Sequence, residues 1–120
     1  MVEFLIDPVG KPRMTRRDAW AHRKCVDDYF AFKDKLVLLA KKSKFILPDK
    51  FRVEFLIRMP NSWSDKKKKE MIGKPHQQKP DLDNLVKSIM DCLRKSDASV
   101  YHINMSKTWW NEGKIIIYEK

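Results

Sequence analysis

Three aspartates and an internal lysine gather in the stretch Lys79-Pro80-Asp81-Leu82-Asp83-Asn84-Leu85-Val86-Lys87-Ser88-Ile89-Met90-Asp91. Two kinds of chemistry suit them. One is local: a carboxylate at 81 or 83 caps the first turn of a helix, where free backbone N–H groups and the positive end of the dipole favour negative charge. The other is ligation. Two carboxylates two residues apart repel each other unless a cation or a proton lies between them. A hard divalent cation such as magnesium takes a few such oxygens and leaves room for water and phosphate. Capping accounts for one acid and leaves the second unexplained, and the spacing by itself keeps both roles open.

A helix must position these groups. Leu82, Leu85, Ile89 and Leu93 recur at three- and four-residue steps and form one apolar stripe. Pro80 biases Lys79 away from helical geometry and sets the boundary. Asp83, Lys87 and Asp91 follow at steps of four along one face. Asp91 is eight residues beyond Asp83, about 12 Å along a helix axis, which is too far to share an ion with it. Lys87 suits a phosphate oxygen; its other role is an exposed ion pair with Asp83 or Asp91, worth ~0.3–0.5 kcal/mol. Asn84 suits orienting a carboxylate or a backbone group.

The surroundings are cationic. Lys11, Arg13, Arg16 and Arg17 crowd an early loop, and Lys66, Lys67, Lys68 and Lys69 run consecutively, followed by Lys74 and Lys79. Four consecutive lysines wind around every side of a helix, so the segment from 66 to 79 is expected to have no buried face and to be poorly ordered without ligand. Over all 120 residues the formal charge is +10, which points to a polyanion and most simply to nucleic acid. The hydrophobic share of 42% excludes wholesale disorder, and the length suits one domain spanning 1–120. Cys25 and Cys92 stand far apart without a CxxC pair or a secretory leader, the pattern of a reduced cytoplasmic chain with two packing thiols. No apolar run approaches the ~20 residues needed to span a bilayer, so no membrane partner is expected. His22, His76 and His102 lack zinc-ligand spacing with the cysteines.

In chain order the pattern predicts a strand over Val2–Ile6, a basic loop to Arg17, and a long helix from an Asp18 cap to about Lys42. Trp20, Val26, Phe30, Val37 and Ala40 mark the inner side of that helix. Tyr29, Phe32, Leu36, Leu38 and Leu39 widen its apolar stripe. Phe51–Met59 alternates as a half-buried strand. Ser64-Asp65 caps a short helix that Gly73 stops. After the central helix come a turn at Ser96–Ser99, a strand over Val100–Trp109, a hairpin loop at Asn111–Gly113 and a last strand over Lys114–Glu119. Trp109 is expected in the core with Trp110 pointing the other way; Trp63 and Trp110 suit stacking on bases. The sum is an α+β fold: a small mixed sheet, a long N-terminal helix and a central helix carrying the acids.

Lys79-Pro80-Asp81-x-Asp83-Asn84-Leu85-x-Lys87, then Asp91, Leu93, Asp97 and Val100, resembles the RusA family of Holliday-junction resolvases. Pro60-Asn61-Ser62-Trp63-Ser64, the lysine run, Gly73-Lys74-Pro75-His76 and Gly10-Lys11-Pro12-Arg13 are similar to its phage-type branch. The resemblance covers nearly the whole chain. It implies a homodimer that uses magnesium, or manganese in its place, to nick four-way DNA junctions symmetrically. It implies Asp81, Asp83 and Asp97 as metal-binding catalytic carboxylates, Lys87 as the catalytic lysine, and Asn84, Asp91 and His76 in support. Many members carry two adjacent acids after the central helix, where this chain has Ser96-Asp97; Asp97 is taken as the match. Two rival functions are a nuclease for other branched DNA (flaps, forks) and a basic nucleic-acid-binding module without catalysis.

Overall fold

The computed structural model describes residues 1–13, 23–94 and 98–119. Among the described residues four strands and three helices make a mixed α+β fold: β1 (Val2–Phe4), α1 (Lys24–Lys42), β2 (Lys50–Arg58), α2 (Asp65–Met71), α3 (Leu82–Leu93), β3 (His102–Trp110) and β4 (Lys114–Tyr118). The sheet order is β1-β4-β2-β3. β2 and β3 run parallel, with Phe51 beside Ile103 and Ile57 beside Trp109, whereas β4 is antiparallel to both β1 and β2.

This topology overturns the expected hairpin. β3 and β4 are consecutive in the chain, but β2 lies between them. Parallel neighbours need a long crossover rather than a tight turn, and the chain between β2 and β3 supplies one that contains α2 and α3. β3 therefore fills one side of β2, and β4 takes the other. Residues 111–113 step across the end of β2, about 10 Å over two strand spacings, which three extended residues can reach.

The alternation in β2 buries Phe51, Val53 and Phe55 on one face, continued by Phe4, Ile115 and Ile117 on the neighbouring strands. α1 and α3 cover that face. α3 contributes Leu85 and Ile89 fully buried, with Leu82 and Leu93 packed at the margin, as its stripe predicts. α1 buries Val26, Tyr29, Phe32, Leu36 and Ala40. Its core face is thus rotated from the expected one, and Phe30 and Leu38 point outward. A run rich in apolar residues on every side does not define one stripe by period alone, and contact with α3 and the sheet selects the face. α1 begins at Lys24 after an extended Arg23. The expected cap Asp18, together with Trp20, Arg16, Arg17 and His22, lies outside the described residues.

α2 forms as its capping signal predicts: the Ser64 hydroxyl accepts a hydrogen bond from the Lys67 N–H at 3.2 Å, and Gly73 sits at φ +80° where the chain turns away. The following loop does not hang free. The Gly73 N–H donates to the Trp109 carbonyl at 2.9 Å, the Trp109 N–H to Lys74 at 3.0 Å, and the His76 N–H to Lys107 at 3.1 Å. These bonds to the rim of β3 correct the expectation of a poorly ordered segment: backbone pairing, not burial of the lysines, holds it. Trp109 is buried, Trp110 faces the other way, and Trp63 and His76 pack on the Trp109 ring with centroids 4.8 and 4.3 Å away.

Candidate active site and nucleic-acid interface

Asp81 is the N-cap of α3, in extended backbone geometry, and its side chain makes no capping hydrogen bond. Its carboxylate has no hydrogen-bond or ion-pair partner among the described residues. Asp83 lies in the first turn, with a side chain 65% exposed and 3.8 Å from the Lys87 ammonium, itself 60% exposed. So exposed a pair contributes little stability, and both groups stay available to a ligand. The capping role open to Asp81 is not taken, and the helix dipole still favours negative charge at this spot.

Two neighbouring elements hold the mouth of α3. From β3, the Lys107 ammonium donates to the carbonyl oxygens of Gln78 at 2.6 Å and Pro80 at 2.8 Å, fixing the peptide chain immediately before Asp81. From the N-terminal loop, the Lys11 N–H donates to the Asn84 carbonyl at 3.1 Å. Gly10 permits that approach: a Cβ there would lie 3.1 Å from the Pro80 Cβ and 3.5 Å from the Asn84 Cβ. The loop and the helix mouth enclose a cleft of about 610 Å³, lined in part by Lys11, Lys79, Asp81 and Asn84. An adjoining hollow of about 390 Å³ is lined by Lys11, Arg13, Asn84 and Lys87. Asp81 thus opens onto a trough whose other charged groups are cationic, with Asp83 in the first helical turn, outside its lining.

Asp91 is turned away from this mouth. It accepts a hydrogen bond from the Tyr29 hydroxyl of α1 and pairs with Lys11 at 3.2 Å and Lys33 at 3.5 Å. The Tyr29 bond, then Lys11 and Lys33, hold its carboxyl below the ordinary range against the opposing effect of burial. Tyr29 is 1% exposed, and burial together with Asp91 pushes its phenol above the usual value. Asp91 therefore ties α1, α3 and the basic loop together. Asp91→Ala is expected to cost ~1–3 kcal/mol, the scale for a buried hydroxyl left without an acceptor. Tyr29→Phe, which removes the hydroxyl as well, should cost less. Urea unfolding of both variants checks this, and a smaller loss for Asp91→Ala than for Tyr29→Phe would contradict it.

At the other end of α3, Arg94 donates to the Leu47 carbonyl at 2.7 Å, to Asp49 at 2.8 Å and to the Ser99 hydroxyl at 2.6 Å. This clamp fixes the chain on both sides of residues 95–97. Asp97 itself lies outside the described residues, as do Arg16 and Arg17. Among the described residues no group of three or more His, Cys, Asp or Glu side chains is placed to hold a metal ion. Asp81 and Asp83 nonetheless fit a hard cation that keeps part of its coordination for water and phosphate, since both are exposed carboxylates and Asp81 is unpartnered.

Lys66, Lys67 and Lys69 are exposed on α2 and Lys68 is half-buried; the Lys67 ammonium lies 4.3 Å from the centroid of the Trp63 ring. Lys74 and Lys79 are exposed on the loop leading to Asp81. His76 is only 4% exposed and its Nδ1 has no partner, so it packs beneath this loop rather than at its surface. Burial, then Lys107, pushes its pKa below the ordinary 6.5. The native state therefore favours neutral His76. That contribution is complete above the unfolded value near 6.5 and is lost as pH falls toward the lower native value. His76→Phe should flatten this dependence, read as the difference in urea midpoint between about pH 5 and about pH 7.5; an unchanged difference would contradict the assignment. Burial also pushes the Cys92 thiol up to about 11, consistent with a packing role.

Lys107 and Tyr29 are the positioning residues that the motif does not contain. Lys107 carried a signal in the sequence: it is the one lysine on the face of β3 that also bears Ile103 and Met105. No helix among the described residues is long and apolar enough to cross a membrane. No curated protein matches the chain. A match to the family described as endodeoxyribonuclease RusA extends over residues 6–118 and so takes in the basic loop, the helix mouth and strands β2, β3 and β4, leaving out β1. The chain belongs to the RusA family.

Proposed function

We propose that the protein is a structure-specific endodeoxyribonuclease that resolves four-way DNA junctions by paired symmetric nicks, with magnesium (or manganese) held by Asp81, Asp83 and Asp97. The observation that carries this proposal is the unpartnered Asp81 carboxylate at the mouth of α3, beside Asp83 and a cationic trough, in a member of the RusA family. When bound, the ion supplies Lewis acidity that makes water a competent nucleophile and offsets charge on the phosphate.

The chain's own residues supply the rest. Lys107 and Lys11 hold the peptide chain around Asp81 and Asn84, so the two acids are presented at a fixed mouth. Lys87, with no buried partner, is free to leave Asp83 for a non-bridging phosphate oxygen as negative charge develops there. Lys66–Lys69, Lys74, Lys79, Lys11, Arg13, Arg16 and Arg17 set the duplex arms in place through phosphates rather than bases. Asn84, Asp91 and His76 act in support, Asp91 through its hold on Lys11. A junction has an approximate two-fold axis, and paired nicks need two sites related by one; the working unit is therefore a homodimer. α3 is 12 residues long, about 18 Å, and the Arg94 clamp sits at the opposite end from Asp81. Asp97 completes the set either from within the chain or from the second copy.

The test compares a four-way junction with matched flap, fork and linear duplex substrates, with and without magnesium. Metal-dependent symmetric nicks in the junction are expected. Preferential cutting of flaps or forks would move the substrate class, and binding without cleavage of any substrate would leave a basic binding module.

A further inference from the structure

The rim of the sheet beside β3 is closed along only half its length. The Trp109 N–H and C=O and the Lys107 C=O point outward to the loop at 73–76, whereas the Trp110 carbonyl points inward to Met59. Backbone groups alternate along a strand, so the N–H and C=O of Ile103 and Met105 also point outward. Among the described residues no second strand joins β3 on this side, and the bridge from the loop at Pro75 reaches only Thr108. Met105 is 39% exposed and the adjoining Tyr101 76%. Native sheets usually blunt such a rim with charge. Here the opposite holds: Ala98–Ser106 is the longest stretch of the chain without Asp, Glu, Lys or Arg. The other rim, β1, is three residues long.

We propose that His102–Ser106 pairs antiparallel with the same segment of a second copy, about a two-fold axis at Asn104. The inference rests on the homodimer proposed above and names its surface. Two chains of formal charge +10 repel, and a neutral contact is what a like-charged copy tolerates; a self-complementary strand rim satisfies a two-fold axis without further adaptation. In this register Ile103 exchanges both backbone hydrogen bonds with Met105 of the second copy, and the reverse pair does the same. The loop at 73–76 stops the pairing at Lys107. Lys107 is three residues from the axis, about 10 Å along the strand, and holds the Pro80 carbonyl before Asp81. The two helix mouths therefore straddle the axis. The second copy's Tyr101, just before its β3, falls opposite Lys107.

Asn104 faces its own counterpart as a non-hydrogen-bonded pair, with Cα atoms about 4.5 Å apart, a separation a disulfide can bridge. In full-length chain carrying Cys25→Ser and Cys92→Ala, Asn104→Cys is expected to give a covalent dimer on mild oxidation, and Ser106→Cys, which faces His102, is not. Met105→Pro removes an outward N–H while leaving the ladder to β2 intact, and should sediment as a monomer with unchanged far-ultraviolet circular dichroism. A chain that sediments as a dimer, fails to cross-link at 104 and ignores Met105→Pro would overturn this surface but leave the two-fold function standing. A chain that nicks junctions as a monomer would overturn both.

Discussion

Asp83→Asn should abolish metal-dependent junction cleavage while leaving junction binding unchanged or tighter. The carboxylate is exposed, takes no part in the core and forms one loose pair with Lys87, so the fold has little to lose. On the proposed function, its replacement removes one negative charge from beside a trough that would accept DNA phosphates, which favours binding. Cleavage loses an electrostatic group at the reacting phosphate, and the drop should reach at least roughly 10²–10³-fold, the scale seen when one such group is deleted. Gel-shift and single-turnover nicking on the same junction separate the two effects. Equal losses of binding and cleavage would show that Asp83 holds the fold or the DNA rather than the reaction.

Replacing Lys66, Lys67, Lys68 and Lys69 together by Ala should weaken junction binding and flatten its salt dependence. Each lysine that neutralises a phosphate contributes roughly one to the slope of log affinity against log salt. The four together should lower it by up to about four. Lys68 is half-buried and Lys67 rests on Trp63, so the larger part is expected from Lys66 and Lys69. Cleavage at saturating protein should be little changed, because α2 sits apart from the helix mouth and buries no residue in the core. An unchanged slope would remove α2 from the interface.

Where one period settles the geometry, the sequence is readable. The alternation of Phe51, Val53 and Phe55 and the stripe through Leu85 and Ile89 lead directly to the two faces that meet in the core. Ser64 and Gly73 delimit α2 because capping and positive φ are local demands. Features that depend on distant segments were not readable. The short connection at 111–113 looks like a hairpin until the crossover places β3 parallel to β2. Phe30 is the more apolar of two adjacent aromatics, yet Tyr29 turns inward, where its hydroxyl meets the Asp91 carboxylate on α3. Asp91 itself looks like part of an acidic row with Asp83. The wrap of α1 makes it an anchor for Lys11 instead. The mouth of α3 was readable in residue type, but not in how Lys107 and Gly10 hold it, since both act across the fold.

The central claim is that Asp81 and Asp83 are kept at a cationic helix mouth to grip an ion that cuts DNA. Nicking of a symmetric four-way junction, titrated with magnesium from a chelated start, tests it most directly. The account predicts no cleavage in chelator and paired nicks at symmetry-related phosphates as the ion is restored, both lost in Asp81→Asn and Asp83→Asn. Junction binding with no metal-dependent nick at any ion concentration would contradict it.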